Sequence, residues 1–107
     1  MSNLYEFRKY KKKQGKKNVK HPKLIVDEDY KEFGFMGLTS SKYKGRGHKN
    51  IELLNNPQKG NSNKAYLRRK IEYDKKKRFG EIDSAYSLSD SDKQRLMTYV
   101  NKHKKKR

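Results

Sequence analysis

Residues 21–41 read HPKLIVDEDYKEFGFMGLTSS. Two apolar runs, Leu24–Val26 and Phe33–Leu38, lie on either side of an acidic, polar segment, Asp27–Glu32. Because both runs are rich in β-branched or aromatic residues, the pattern predicts two antiparallel strands joined by a turn rather than a helix. Antiparallel pairing brings the start of the first strand beside the end of the second. We therefore expect a functional site where His-Pro and Thr-Ser-Ser meet, at the open end of this hairpin.

The composition indicates the class of partner. The chain has 107 residues, with 30 Lys and Arg against 12 Asp and Glu, and a net charge of +18. Such an excess predicts a polyanionic partner, nucleic acid before an anionic membrane surface. The chain has no cysteine, which excludes disulfides and thiolate zinc sites. No apolar run approaches the roughly 18 residues of a membrane span, so we expect a soluble, cytoplasmic protein with no membrane partner.

The distribution of apolar residues predicts three parts. Residues 1–20 form a basic N-terminal arm, disordered or partly helical, in which Leu4, Phe7 and Tyr10 recur at three-residue spacing. Residues 21–101 form a single folded domain, and residues 102–107 form a basic tail. The arm is interpreted either as an electrostatic contact with nucleic acid or as a solvated tail that aids solubility.

Two further strands are predicted after the hairpin. Residues 40–50 are a basic loop around Gly45-Arg46-Gly47, where glycines let backbone amides approach a phosphate or simply make the loop flexible. Ile51–Leu54 reads as a third, short strand, and residues 58–63 as a polar turn. Lys64–Asp74 reads as a fourth and longest strand whose alternation places Tyr66, Arg68 and Lys70 on a polar face.

A C-terminal helix is predicted from its start signal. Ser89, followed three positions later by Asp92, resembles a capping box with aspartate in place of glutamate, and basic residues 102–107 suit the negative end of a helix. The apolar stripe of this helix, expected to pack on the sheet, consists of Leu96, Met97 and Val100.

No cofactor and no metal site are predicted. The three histidines, His21, His48 and His103, are widely separated in the sequence. The acidic residues of the hairpin segment 27–32 could bind a hard cation, but such clusters more often form a solvated turn that balances nearby lysines. No phosphate-binding loop, dinucleotide fingerprint or serine triad stands out.

The order of these segments resembles the MazF/PemK-type toxin family. The resemblance covers residues 21–101 and rests on HPKLIV, FMGLTSS, the basic loop, KAYLRRKIEYD and SLSDSDKQRLMTYV. It implies a mainly β protein with a C-terminal α-helix, a small SH3-like barrel that cleaves RNA without a metal, and it leaves a homodimer and an antitoxin, protein or RNA, open as partners. His21 stands where many members have arginine, and the basic arm stands where members have an opening strand.

Two functional hypotheses follow. In the first, the protein is a toxin-like endoribonuclease that cleaves single-stranded RNA by 2′-hydroxyl transesterification, with His21 as acid or base, Thr39 holding a phosphate oxygen and Arg68 stabilising negative charge. In the second, it is a non-catalytic RNA- or DNA-binding protein, ribosome-associated or an accessory of a mobile element or phage; His21 then only caps its strand, and Thr39 satisfies a turn amide. The candidate nucleic-acid-binding residues are Ser41, Lys42, Lys44, Arg46, His48, Lys49, Tyr66 and Lys70.

Overall fold

The computed structural model describes residues 4–11, 21–43, 45 and 48–106. These residues form a seven-stranded antiparallel sheet and one C-terminal helix, so the mainly β class with a terminal helix is confirmed. The strands are β1 (Phe7–Tyr10), β2 (Lys23–Glu28), β3 (Glu32–Thr39), β4 (Ile51–Glu52), β5 (Tyr66–Leu67), β6 (Glu72–Lys75) and β7 (Phe79–Ile82); a 3₁₀ helix spans Lys76–Arg78, and α1 spans Asp90–His103.

The predicted hairpin is the centre of the sheet. β2 and β3 pair antiparallel, with Lys23 opposite Gly37 and Ile25 opposite Phe35. The register then shifts by one residue between Ile25 and Asp27, and this shift corresponds to a β-bulge at Val26. The sheet order is β4-β5-β3-β2-β1-β7, and β6 also pairs with β3. Three strands therefore pair directly with β3. Their positions in the sheet depend on the position of β3.

The hairpin is buried on both faces. On one face, Leu24, Val26 and Met36 pack in a cluster that includes Leu96 and Val100 of α1. On the other face, a second cluster consists of Ile25, Phe33, Phe35 and Phe79. Because neighbouring strand residues point to opposite faces, a strand covered on both sides is apolar at successive positions. This explains the uninterrupted run at Leu24–Val26.

The prediction that residues 1–20 are disordered or partly helical is wrong for the strand that the structure describes there. Phe7–Tyr10 is strand β1, which pairs with β2 on one side and β7 on the other. The Phe7 side chain is fully buried in the cluster below α1. The strand forms because it satisfies the free backbone edge of β2 while adding an aromatic ring to a small core. The rest of the predicted arm, residues 12–20, lies outside the described residues.

The predicted fourth strand is divided in two. β5 pairs with Leu38 and Thr39 of β3, whereas β6 pairs with Glu32–Phe35 farther along the same edge. Residues 68–71 connect the two short strands. β5 also pairs with β4. The division arises because β5 is enclosed between two strands while β6 has β3 as its partner, so the simple alternation across residues 64–74 does not hold.

The helix start was predicted correctly, and its stripe in part. Ser89 caps α1, with its hydroxyl accepting from the Asp92 backbone N–H. Leu96 and Val100 are buried, but Met97 is 38 % exposed and does not belong to the packed face. No helix in the described ranges has both the length and the apolar character needed to cross a membrane.

The predicted basic tail is in contact with the sheet. The Lys105 backbone N–H donates to the Tyr73 hydroxyl at 2.8 Å, and the Lys105 ammonium pairs with Glu32. The Tyr73 hydroxyl donates in turn to Asp27 at 2.9 Å. Gly34 makes room for this tyrosine, since a Cβ at that position would lie 2.6 Å from the Tyr73 ring. The chain after α1 is therefore held against the hairpin.

A polar cluster joins β1, β6 and the 3₁₀ helix. The Tyr10 hydroxyl donates to Asp74 Oδ2 at 2.7 Å, and Arg78 Nη1 lies 3.2 Å from the same oxygen. Burial alone would raise the pKa of Asp74, but the hydrogen bonds from Tyr10, the Lys75 N–H and Arg78 outweigh it and lower that pKa. Burial, together with the bond to Asp74, raises the pKa of Tyr10. The cluster favours the ionised carboxylate.

Candidate functional site

The open end of the hairpin brings the predicted polar residues together. The backbone N–H of Leu38 donates to the Pro22 carbonyl at 3.0 Å, which continues the register of Lys23 opposite Gly37. Continued by one more residue, this register places His21 beside Thr39. The prediction that the start of β2 and the end of β3 lie close together is therefore confirmed.

Arg68 reaches the same place from the other edge of β3. It follows β5 directly, and its backbone N–H donates to the Gly37 carbonyl at 2.8 Å. A Cβ on Gly37 would lie 3.4 Å from Arg68 Cδ and 3.7 Å from its Nε. The glycine thus leaves space for the arginine side chain to lie across β3, toward the strand that carries His21.

His21, Thr39 and Arg68 line one cavity of about 430 Å³, here called the His21 groove. Ser41, predicted to contact nucleic acid, lines it as well. Its volume falls within the range of about 300–1,000 Å³ that is usual for ligand pockets. Three side chains from separate parts of the sequence thus meet at a space large enough for a nucleotide.

The His21 groove is lined by positively charged side chains, and one of them is free to bind an anionic ligand. The half-buried guanidinium of Arg68 forms no hydrogen bond and no ion pair with the residues that the structure describes. Lys64 also lines the groove, and its ammonium is 3.6 Å from an exposed Glu52 carboxylate. Because a guanidinium presents planar donors that match a phosphate, Arg68 is suited to bind one.

The Thr39 hydroxyl already accepts one hydrogen bond within the protein. Its Oγ1 accepts from the Ser41 backbone N–H at 3.1 Å, as the turn interpretation predicts. Since a hydroxyl can also donate, the Thr39 O–H is left to bind an oxygen in the groove. The His21 side chain is exposed, and its imidazole has no hydrogen bond to any described residue.

Lys23 was missed by sequence reasoning although it adjoins the site. Only 5 % of it is exposed, and its ammonium donates to the His21 carbonyl at 3.1 Å. The ammonium lies 4.2 Å from the centre of the Tyr10 ring. Burial lowers the pKa of Lys23, and nearby Glu72 opposes this effect. A cavity of about 70 Å³ between Lys23, Arg68 and Glu72 adjoins the groove. In the sequence, Lys23 is simply a lysine that precedes an apolar run, and this context does not indicate burial.

A second group of missed residues comes from the segment predicted as a polar turn. Residues 55–64, here called the carboxamide loop, read NNPQKGNSNK. Four residues of this loop with carboxamide side chains line the His21 groove: Asn56, Gln58, Asn61 and Asn63. Tyr86 lines the groove too. The density of Asn and Gln was the only available signal, and polar turns carry the same residues.

The basic loop after β3 lies next to the site. Lys42 and Lys49 are exposed at its base, where the buried Asn50 donates to the Ser41 carbonyl at 2.9 Å. Lys44 and Arg46 lie outside the described residues. A cavity of about 410 Å³, here called the loop cavity, is lined by Gly45, His48, Arg68, Arg69, Lys70 and Glu72. Arg68 is common to this cavity and the His21 groove.

Tyr66 does not lie where the alternation of residues 64–74 placed it. Its side chain is 6 % exposed, and it lines neither the His21 groove nor the loop cavity. The physical reason is that both faces of β5 are covered, because successive residues Ala65, Tyr66 and Leu67 are all buried and neither side of the strand is left as a polar face. Tyr86 is the aromatic residue that the groove presents instead.

The acidic segment of the hairpin is occupied by contacts within the protein. Asp27 accepts from Tyr73, Glu28 pairs with Lys76 at 2.8 Å, and Glu32 pairs with Lys105. Within the described ranges, no group of three or more His, Asp or Glu side chains is arranged to hold a metal ion.

Comparison with known proteins gives no relative: no family model, no curated protein and no solved structure matches this chain.

Proposed function

We propose that the protein is an endoribonuclease that cleaves single-stranded RNA without a metal cofactor, of the MazF/PemK type that its sequence resembles. The observation that carries the proposal is the convergence of His21, Thr39 and Arg68 on one groove in which the arginine has no partner among the described residues. An imidazole, a hydroxyl and a guanidinium supply the proton transfer, orientation and charge stabilisation that phosphodiester transesterification requires.

The proposed chemistry needs only these side chains and the substrate. The ribose 2′-hydroxyl attacks the adjacent phosphorus, and His21 takes the proton from that hydroxyl. The bond from phosphorus to the 5′-oxygen breaks, leaving a 2′,3′-cyclic phosphate and a 5′-hydroxyl that receives a proton from solvent or from a second acid. Arg68 stabilises the additional negative charge on the phosphoryl oxygens, while Thr39 donates to one of them.

The strand arrangement supports a small barrel of SH3-like type. Along the path β6-β3-β2-β1-β7, each strand pairs with the next. Its two end strands, β6 and β7, are joined directly by the 3₁₀ helix Lys76–Arg78. Such a short connection brings the two ends of the path together, as barrel closure requires. β1 also supplies the opening strand that members of the resembled family have.

The proposed partner is RNA, and the surface around the groove agrees with it. Lys42, Lys49 and Lys70 are exposed, and Lys70 lines the loop cavity together with Arg68; with the net charge of +18 they suit a backbone rich in phosphates. A homodimer and an antitoxin partner are proposed from the resemblance alone, and cytoplasmic location is proposed from the sequence, which has no cysteine and no long apolar run.

Cleavage in the presence of EDTA tests the proposal. Purified protein is incubated with single-stranded RNA in excess EDTA, and the products are analysed for cyclic-phosphate ends. His21→Ala should lower the cleavage rate by about 10²–10⁴-fold, the usual contribution of a positioned acid or base, with RNA binding nearly unchanged. Thr39→Ala should also reduce the rate. His103→Ala, which removes an imidazole stacked on Tyr99 far along α1, is the matched control and should cleave like the wild type.

A non-catalytic nucleic-acid-binding function is the second candidate, and one observation favours it. No described residue hydrogen-bonds to the His21 imidazole, whereas a catalytic base is commonly oriented by a third group. On this alternative, EDTA-treated protein binds RNA but yields no cyclic phosphate. Binding would then show a log–log salt slope near −4 if about six phosphates of a single strand are neutralised. Cleavage at wild-type rates by both His21→Ala and Thr39→Ala would remove the catalytic assignment.

A further inference from the structure

The carboxamide loop is braced by its own side chains. Asn56 Oδ1 accepts from the Gln58 N–H at 2.9 Å, and Asn56 Nδ2 donates to the Asn63 carbonyl at 2.9 Å. Asn61 Oδ1 accepts from the Asn63 N–H at 2.8 Å, and Asn61 Nδ2 donates to Gln58 Oε1 at 3.0 Å. The side-chain amides of Asn56 and Asn61 therefore both stabilise the conformation of the loop, each through its oxygen and its nitrogen.

The carboxamide loop is also fixed to the rest of the protein. The Lys59 N–H donates to the Ala85 carbonyl at 3.1 Å, and the Ser87 N–H donates to the Pro57 carbonyl at 2.9 Å. At its start, the Leu54 and Asn55 N–H groups donate to the buried Asp92 carboxylate. A loop held at its start and along its length is preorganised, so a ligand that it binds does not have to order it.

Two carboxamides of the loop are left for a ligand. Neither the Asn63 side chain nor Gln58 Nε2 has a hydrogen-bond partner among the described residues. Both residues line the His21 groove together with His21, Thr39 and Arg68. The groove therefore combines groups suited to a phosphate with exposed carboxamides, presented by a braced loop, that suit a polar, planar group beside it.

We infer that the carboxamide loop is a base-recognition subsite and that Asn63 reads an adenine next to the bound phosphate. A carboxamide presents an acceptor beside a donor, and adenine offers the complementary pair, N6–H with N7, which Asn and Gln bind in a bidentate manner. Unstacked bases of single-stranded RNA expose these edges and stack on aromatic side chains. Tyr86 lines the same groove, but its ring is in contact with Phe7 and with the Lys9 ammonium, so recognition of the base depends on the carboxamides. The inference gives the proposed ribonuclease its sequence preference and rests on that function for the position of the phosphate.

Binding of short RNAs tests the inference independently of cleavage. The probes are single-stranded oligonucleotides with a non-cleavable 2′-O-methyl backbone, identical except for one central base that is A, G, C or U. Affinities are measured by fluorescence anisotropy at fixed salt. The wild type should prefer the adenine probe by about 5–150-fold, the range for one bidentate base contact. Asn63→Ala should reduce this preference to about twofold or less and leave the other three affinities unchanged.

The controls separate recognition from folding. Asn55→Ala changes the same residue type in the same loop outside the groove and should keep the adenine preference. Because the Asn63 side chain braces nothing among the described residues, Asn63→Ala should unfold at the wild-type temperature. Gln58→Ala should weaken the preference less than Asn63→Ala, because one end of the Gln58 amide is occupied by Asn61.

The outcomes distinguish this inference from the proposed function. An adenine preference that Asn63→Ala removes, in a protein that yields no cyclic phosphate, supports the subsite and rejects the ribonuclease. RNA cleavage without any base preference supports the ribonuclease and rejects the base-recognition subsite. Preference for another base, equal loss of affinity for all probes in Asn63→Ala, or loss of the preference in Asn55→Ala would each overturn the inference.

Discussion

Asp92→Ala should destabilise the protein by about 2–4 kcal/mol, because this carboxylate joins α1 to the start of the carboxamide loop. Asp92 is fully buried, and it accepts from the Leu54 N–H at 2.9 Å, the Asn55 N–H at 3.2 Å and Arg95 Nη1 at 2.9 Å. Removing an acceptor from a buried donor costs about 1–3 kcal/mol; the two backbone donors that lose theirs belong to the exposed residues Leu54 and Asn55, so each loss lies in the lower part of this range, about 1–2 kcal/mol. The helix cap itself survives, since Ser89 accepts from the backbone N–H of residue 92, which alanine retains.

Urea denaturation followed by far-UV circular dichroism measures this loss. With a total stability of about 5–15 kcal/mol for a domain, the change should also lower the melting temperature by about 8–30 °C. Asp90→Ala is the matched control: it lies in the same first turn but is exposed, so only a helix-dipole effect of about 0.3–1 kcal/mol is lost. If Asp92→Ala costs no more than Asp90→Ala, the carboxylate does not hold the loop to the helix, and the reasoning fails.

Three further changes test the packing and the polar cluster. Leu96→Ala should cost about 2–5 kcal/mol in urea denaturation, whereas Met97→Ala, at the exposed neighbouring position, should cost far less; equal costs would contradict the burial pattern. Phe7→Ala should cost about 3–5 kcal/mol by the same assay, and a negligible loss would show that β1 is dispensable to the core. The lowered pKa of Asp74 means that its stabilising contribution is present above the unfolded-state value near 3.9 and is lost as the pH falls through the lower folded-state value. The free energy of unfolding should therefore fall more steeply below about pH 4 in the wild type than in Asp74→Asn. Parallel pH profiles would contradict a stabilising role for the ionised Asp74 carboxylate.

The hairpin, the helix start and the meeting of His21 with Thr39 could be predicted because each depends on local rules. Alternation and β-branched content identify paired strands, and antiparallel geometry then fixes which ends meet. Ser89 obeys the N-cap rule, which needs no tertiary information, whereas the Asp92 carboxylate accepts from Leu54 and Asn55 instead of completing a capping box. Such signals concern residues close in the sequence or joined by one tight turn.

The features that were missed depend on partners far apart in the sequence. β1 is a strand because β2 and β7 lie on either side of it, and the three-residue spacing of its apolar residues gave no sign of that. Tyr66 is buried because the fold covers both faces of β5. Met97 is exposed because α1 contacts the sheet along a narrower face than its apolar residues suggest. In each case tertiary packing overrides the local pattern.

The structure makes the candidate site sensitive to the register of a single strand. β3 places Thr39 beside His21 through its pairing with β2, and it places Gly37 beside Arg68 through its pairing with the segment after β5. A slip of one residue in either pairing would turn side chains to the opposite face and separate the groups of the groove. The register is secured by apolar side chains on both faces of β3, including Met36 on one face and Phe35 on the other. The buried core of the hairpin is thus what holds the imidazole, the hydroxyl and the guanidinium around one groove.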